Sequence, residues 1–164
     1  MDNKIKLLIV DDEVQFLDSI AERLELRGFD VTKVNRATDA VIVARDEKFD
    51  LALLDLKMPG MDGKELLDIL KQEHRYLEVI MLTGHGSVES AVECTKLGAF
   101  GYLAKPYELE QLLQVLKDAY LARMQKKFEK DRERIKQLSE LALSMGESPL
   151  GFLKAMRDLD DEAK

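Results

Sequence analysis

Five short apolar runs, each followed by a stretch with helical spacing, alternate through the first 120 residues, and this rhythm leaves few folds open. Lys6–Val10 is an apolar run that ends in acids. Val14–Arg27 carries Phe16, Leu17, Ile20 and Leu24 at helical spacing and stops at Gly28. Phe29–Val34 is β-branched, and Thr38 is placed to cap a helix running through Glu47. Asp50–Leu54 is an apolar run broken by Met58-Pro59-Gly60-Met61-Asp62-Gly63, after which Lys64–Glu73 reads as a helix. Glu78–Leu82 is a strand, Ser87–Leu97 a helix ended by Gly98, Phe100–Leu103 a fifth strand, and Glu108 opens a last helix. Apolar strands without polar alternation must be covered on both faces, and helices in every connection supply that cover for a parallel sheet. The expected fold class is therefore α/β, a doubly wound five-stranded parallel sheet.

In such a sheet, ligands bind beyond the carboxyl ends of the strands, where the winding reverses. Strand one ends in Asp11-Asp12-Glu13, strand three in Asp55, strand four in Thr83-Gly84, and strand five in Ala104-Lys105-Pro106. With strands one and three adjacent, three carboxylates meet beside a hydroxyl and an ammonium. Clustered carboxylates repel one another and raise each other's pKa unless a cation lies among them. All-oxygen ligands with open positions favour Mg2+, and a carboxylate beside that ion can act as a nucleophile toward phosphorus. Lys105 and Thr83 would then offset charge on the transferred group. Glu13 reads as a helix-start acid. His85, two residues after Thr83, lies at the mouth of the site, where it could modulate water attack, whereas His74 ends a helix favourably for its dipole.

The charge distribution agrees. Of the net −7, residues 121–164 hold 10 Lys/Arg against 9 Asp/Glu, so the first 120 residues are the acidic part, with 15 against 23. An acidic body argues against general nucleic-acid binding and suits a metal cation or a basic partner. The single Cys94 rules out an intramolecular disulfide framework, agrees with a reducing compartment, and reads as a small buried residue. No signal peptide or membrane-spanning run is visible, so the expected location is cytoplasmic.

Paired acids after strand one, Asp55 in LLDLKMPGMDG, Thr83 in MLTGHG and Lys105 in YLAKP together resemble the receiver domain of two-component response regulators, over about residues 4–120. The resemblance implies a flavodoxin-like strand order of 2-1-3-4-5. It implies that Asp55 accepts a phosphoryl group from the phosphohistidine of a sensor histidine kinase or histidine phosphotransfer protein. Asp12 and Asp55 would ligate Mg2+ directly, Asp11 mostly through water, and the backbone carbonyl of Lys57 would complete the protein ligands. Thr83 and Lys105 would bind phosphoryl oxygens, and the Lys105–Pro106 bond would be cis. Tyr102 would be an aromatic switch that turns inward as Thr83 moves, although a core tyrosine with a surface hydroxyl satisfies the same position. Such a protein is no enzyme beyond its own phosphorylation and dephosphorylation.

Residues 121–164 are expected to form a separate helical extension on a receiver of residues 1–120. Leu121, Met124, Phe128, Ile135, Leu138, Ala142 and Met145 follow 3-4 spacing, with Asp131 in the one missing seam position. They predict one helix from Glu108 to Met145, about 57 Å long, ended by Gly146 and pairing as a coiled coil with a second copy, the homodimer being expected, or with a partner protein. Ser148-Pro149 then opens a short helix to about Leu159. The 44 residues are too few for a winged-helix or ATPase module. Two other functions are weighed. A DNA-binding regulator could use the basic residues from Arg123 to Lys136, although these interleave with the seam instead of preceding it. A haloacid-dehalogenase-type phosphatase also uses a strand-end Asp but needs a second one two residues on, where Lys57 stands.

Overall fold

The protein is described from a computed structural model, which describes residues 4–84, 87–129, 131–145 and 148–162. The elements run β1 (Lys6–Val10), α1 (Val14–Glu25), β2 (Asp30–Val34), α2 (Ala37–Asp46), β3 (Leu51–Asp55), α3 (Gly63–Glu73), β4 (Glu78–Thr83), α4 (Val88–Lys96), β5 (Gly101–Ala104), α5 (Leu109–Lys127), α6 (Arg132–Met145) and α7 (Pro149–Glu162). The five strands form one parallel sheet in the order β2-β1-β3-β4-β5, as the resemblance implied.

Strand periodicity divides the core. Side chains alternate across a strand, so Leu7, Ile9, Leu51, Leu53, Ile80 and Leu82 face α1 and α5. Their neighbours Leu8, Val10, Ala52, Leu54, Val79 and Met81 face α2, α3 and α4. Every residue of β3 and β4 is buried, as a central strand covered on both faces requires, whereas the edge strands β2 and β5 keep half-exposed positions. Side chains cap the starts of α3 and α4: Asp62 accepts from the Glu65 N–H at 2.9 Å, and Ser87 from the Ser90 N–H at 3.1 Å. Thr38 does not cap α2, which begins one residue earlier with Arg36 at its N-cap.

The tail departs from the expected single helix. Helix α5 does run beyond the sheet, to Lys127, but Phe128 caps it and a new helix starts at Arg132. Asp131 is the reason. Its carboxylate accepts from the Arg134 N–H at 3.2 Å, so a residue that would be a buried charge in a seam serves instead as an N-cap. Helices α6 and α7 then fold back on the chain. Met124 and Leu138 of the apolar stripe are buried with Phe152, Leu153 and Met156 of α7 in the core shared with α1 and α5. Each such side chain contributes about 1.5–3 kcal/mol when fully buried. Ser148 and Pro149 open α7 as expected, with the Gly151 N–H donating to the Ser148 hydroxyl at 3.2 Å. The Ala142 and Met145 side chains and Gly146 lie outside the described residues.

A buried ion network fixes α7. Asp160 is fully buried and accepts from the Tyr120 hydroxyl at 3.1 Å, Lys127 at 2.6 Å, Arg123 at 3.2 Å and Arg157 at 3.1 Å. Burial alone would push its carboxyl up, but Lys127 and Arg123 outweigh that and hold it below the usual range. Arg123 also reaches Asp50, just before β3, at 3.1 Å.

Candidate functional site

The carboxyl ends of β1, β3, β4 and β5 converge on one edge of the sheet. Register places Leu54 beside Val10, Leu82 beside Asp55, and Ala104 beside Thr83. The residues that follow those pairs are Asp11, Asp12, Asp55, Thr83 and Lys105. One carboxylate oxygen from each of Asp11, Asp12 and Asp55 lies within 4.8 Å of the others, with Asp11 and Asp55 buried and Asp12 exposed. An all-carboxylate set at this spacing, open to solvent through Asp12, fits a hard divalent cation that keeps water ligands.

The electrostatics make the same point. Burial, and after it the Asp11 charge, push the Asp55 carboxyl up to about 6, against the pull of Lys105. The Lys105 ammonium donates to Asp11 at 2.6 Å and lies 3.9 Å from the centroid of the Phe16 ring. Among the described residues one cation thus serves a cluster of three carboxylates, and an added cation would relieve the remaining repulsion. The other Asp11 oxygen accepts from the Glu13 N–H at 2.9 Å, which orients the carboxylate.

Backbone geometry brings the remaining groups into place. The Lys105 N–H donates to the Thr83 carbonyl at 2.8 Å, and the Lys105–Pro106 bond is cis, as the resemblance implied. Thr83 is buried at the end of β4. Lys57 is exposed in the loop after β3. That loop is closed by the Gly63 N–H, which donates to the Leu56 carbonyl at 2.9 Å. A Cβ at Gly63 would overlap the Asp55 carbonyl oxygen and press on the Leu56 Cα, so only glycine lets α3 start this close to Asp55. Tyr102 is half-buried against the α3–α4 core, and burial, more than the nearby Cys94, pushes its hydroxyl up. That hydroxyl is shut off from solvent beside the Ser87 backbone, outside hydrogen-bonding geometry. The surface-hydroxyl alternative is therefore not what the structure holds. His85 lies outside the described residues, His74 caps α3, and Cys94 is fully buried.

Three contributors escaped the sequence reading: Phe16, Gly63 and Tyr107. Phe16 carries a core-like helical period, and nothing local reveals that Lys105 lies over its ring. Gly63 stands in the quoted motif, but its contact with the Asp55 carbonyl requires the folded loop. Tyr107 packs edge-on to Phe16 at 6.2 Å, and burial, then Asp11, push its hydroxyl up to about 12. Phe16, Ile20, Tyr107 and Leu109 line a cleft of about 470 Å3 that borders Lys105.

Known proteins share this fold. Residues 7–117 match the family described as the response regulator receiver domain. The chain is 36% identical over 111 residues to the response regulator protein FleR of Pseudomonas aeruginosa, an alignment covering 68% of this chain and 24% of that protein. It therefore spans about a quarter of that relative's length. A receiver domain protein of Methanospirillum hungatei, described as CheY-like, superposes with a TM-score of 0.72 at 33% identity, covering 75% of this chain and 98% of that one. The beryllofluoride-activated NtrC4 receiver domain dimer superposes with a TM-score of 0.69 at 33% identity, covering 72% and 98%.

Proposed function

The chain belongs to the receiver-domain family of two-component response regulators, and from that premise we propose that it takes a phosphoryl group from a histidine kinase or histidine phosphotransfer protein onto Asp55 and changes its protein contacts in response. The observation that carries this reading is the three-carboxylate cluster at the strand ends, with a raised Asp55 carboxyl and Lys105 held at Asp11.

In the proposed reaction, an Asp55 carboxylate oxygen forms a bond to phosphorus as the donor histidine N–P bond breaks, and the imidazole leaves with the electron pair. Asp11, Asp12, Asp55 and the Lys57 carbonyl would hold Mg2+, which supplies positive charge against the phosphoryl oxygens. Lys105 would leave Asp11 for a phosphoryl oxygen, and the Thr83 hydroxyl would donate to another. Tyr102, on the strand paired with that of Thr83 and with its hydroxyl shut off from solvent, would be the residue that reports a Thr83 shift toward the phosphate. The cleft of Phe16, Ile20 and Leu109, which borders Lys105, would give a donor protein an apolar seat. A histidine kinase as donor would place the protein in the cytoplasm; among the described residues no helix is long and apolar enough to cross a membrane.

We divide the chain into a phosphoacceptor unit, residues 1–120, and an extension, residues 121–164, that begins within α5. A dimer through the 121–145 stripe needs Met124 and Leu138 exposed, and both are buried here. Such a dimer would therefore have to displace α6 and α7 first. The basic residues that suggested DNA are partly engaged as well, Arg123 and Lys127 with Asp160 and Lys126 with Glu78.

Incubation with a phosphorylated histidine kinase or acetyl phosphate tests the central reading. Label is expected on the parent chain and absent from Asp55→Asn. Equal labelling of the two would overturn it.

A further inference from the structure

At the opposite end of the sheet from Asp55, the loops before β3 and β4 meet α5 and α7 around a cleft of about 750 Å3. That volume is within the range of small-molecule sites. Its lining is cationic although the chain as a whole carries −7. On its floor, the cations Arg123, Lys127 and Arg157 share two buried carboxylates, Asp50 and Asp160, so among the described residues the cations there outnumber the anions. Lys6, Lys48 and Arg75 stand exposed at the rim, and none of them forms an ion pair among the described residues. The carboxylates Asp46 and Glu47 are also at the rim, and Arg45 is neutralised by Glu73 at 3.0 Å. A buried donor at the cleft, Nε of Arg123, has no hydrogen-bond partner among the described residues. A buried donor without an acceptor costs about 1–3 kcal/mol, so the cleft is short of anionic oxygen. Half-buried Phe49 and Tyr76 form part of its wall, with the Arg75 guanidinium 5.4 Å from the Tyr76 ring centroid.

We propose that this cleft is a second ligand site, one that binds a multiply phosphorylated small molecule of nucleotide size. Its phosphates meet Lys6, Lys48 and Arg75 at the rim, above the cationic floor. The site is independent of Asp55: the chemistry of one lies at the carboxyl ends of the strands and of the other at the amino ends. Because Arg157 belongs to α7 and Lys48 and Arg75 to the sheet loops, an occupant bridges the extension to the body and steadies the folded-back tail.

Titrating the full chain with pyrophosphate and with ADP, both in EDTA, tests the proposal by amide NMR shifts and by thermal stability. Saturable binding is expected, with shifts at residues 45–49, 74–77 and 123–127. Lys48→Glu and Arg75→Glu, exposed positions outside the core, are expected to weaken it by roughly tenfold or more, and Asp55→Asn to leave it unchanged. Tighter binding of ADP than of pyrophosphate assigns the Phe49–Tyr76 wall to a ring, and equal binding assigns the site to phosphates alone; either supports the proposal. Shifts confined to Asp11, Asp55 and Lys105, affinity indifferent to Lys48→Glu and Arg75→Glu, or no saturable binding would each overturn it.

Discussion

Replacing Asp55 by Asn removes one charge from the acidic cluster and leaves the side-chain shape almost unchanged. Asp55 is 7% exposed, and burial first, then Asp11, raise its carboxyl from 3.8 to about 6, with Lys105 opposing. A carboxyl raised in the folded state holds its proton there after the unfolded chain has lost it. Stability therefore falls as pH climbs from about 3.8 to about 6, and stays at the lower level above that. At about 1.4 kcal/mol per pH unit, the span from 3.8 to about 6 sets a ceiling of about 3 kcal/mol. Solvent at the open side of the site reduces it, and about 1–3 kcal/mol is expected. In metal-free urea titrations at about pH 8, Asp55→Asn should be more stable than the parent by that amount. Near pH 4 the parent carboxyl is protonated in the folded state and the advantage should shrink to below about 1 kcal/mol. Added Mg2+ should stabilise the parent more than the variant and narrow the gap at high pH. Equal stability at pH 8 would refute the reasoning. So would an advantage that persists undiminished at pH 4, since it would then arise from packing and not from charge.

Asp160→Ala leaves Arg123, Lys127 and Arg157 without their shared buried acceptor, and is expected to cost about 3–5 kcal/mol in thermal or urea unfolding; a loss within about 0.5 kcal/mol would show that the network does not hold α7. Asp131→Leu should cost about 1 kcal/mol by removing the cap of α6, with no change in sedimentation. A tighter dimer would instead reinstate the seam expected from the 3-4 spacing. Gly63→Ala forces the β3–α3 loop away from Asp55, and both a stability loss of about 1–3 kcal/mol and slower acetyl-phosphate labelling are expected; unchanged labelling would detach Gly63 from the site.

The sheet and the site were legible because they rest on local signals. Strand periods of two assign each apolar residue to a face, and acids at strand ends can point only to the carboxyl edge once the sheet is parallel. Phe16 illustrates what local signals miss. Its helical spacing is that of any core residue, and its contact with Lys105 spans 89 positions of sequence, closed only when the segment after β5 passes beside α1. The Asp160 network is of the same kind: its partners Tyr120, Arg123 and Lys127 read as helix-surface residues until α7 returns to cover them.

The tail shows how one pattern admits two structures. A 3-4 stripe says that one face of a helix is buried, not against what, and a second copy competes with any apolar segment further along the same chain. Here Phe152, Leu153 and Met156 follow 28 to 32 residues after Met124, and intramolecular contact needs no second molecule to be brought to it. The discriminating residue was Asp131. A carboxylate in a seam faces a desolvation cost of several kcal/mol without a partner, whereas the same carboxylate just outside a helix start gains a hydrogen bond to an otherwise unsatisfied N–H. Those opposite signs at one position favour ending α5 and restarting the chain as α6, and the restart is what allows α7 to reach Asp50 and the floor of the cationic cleft.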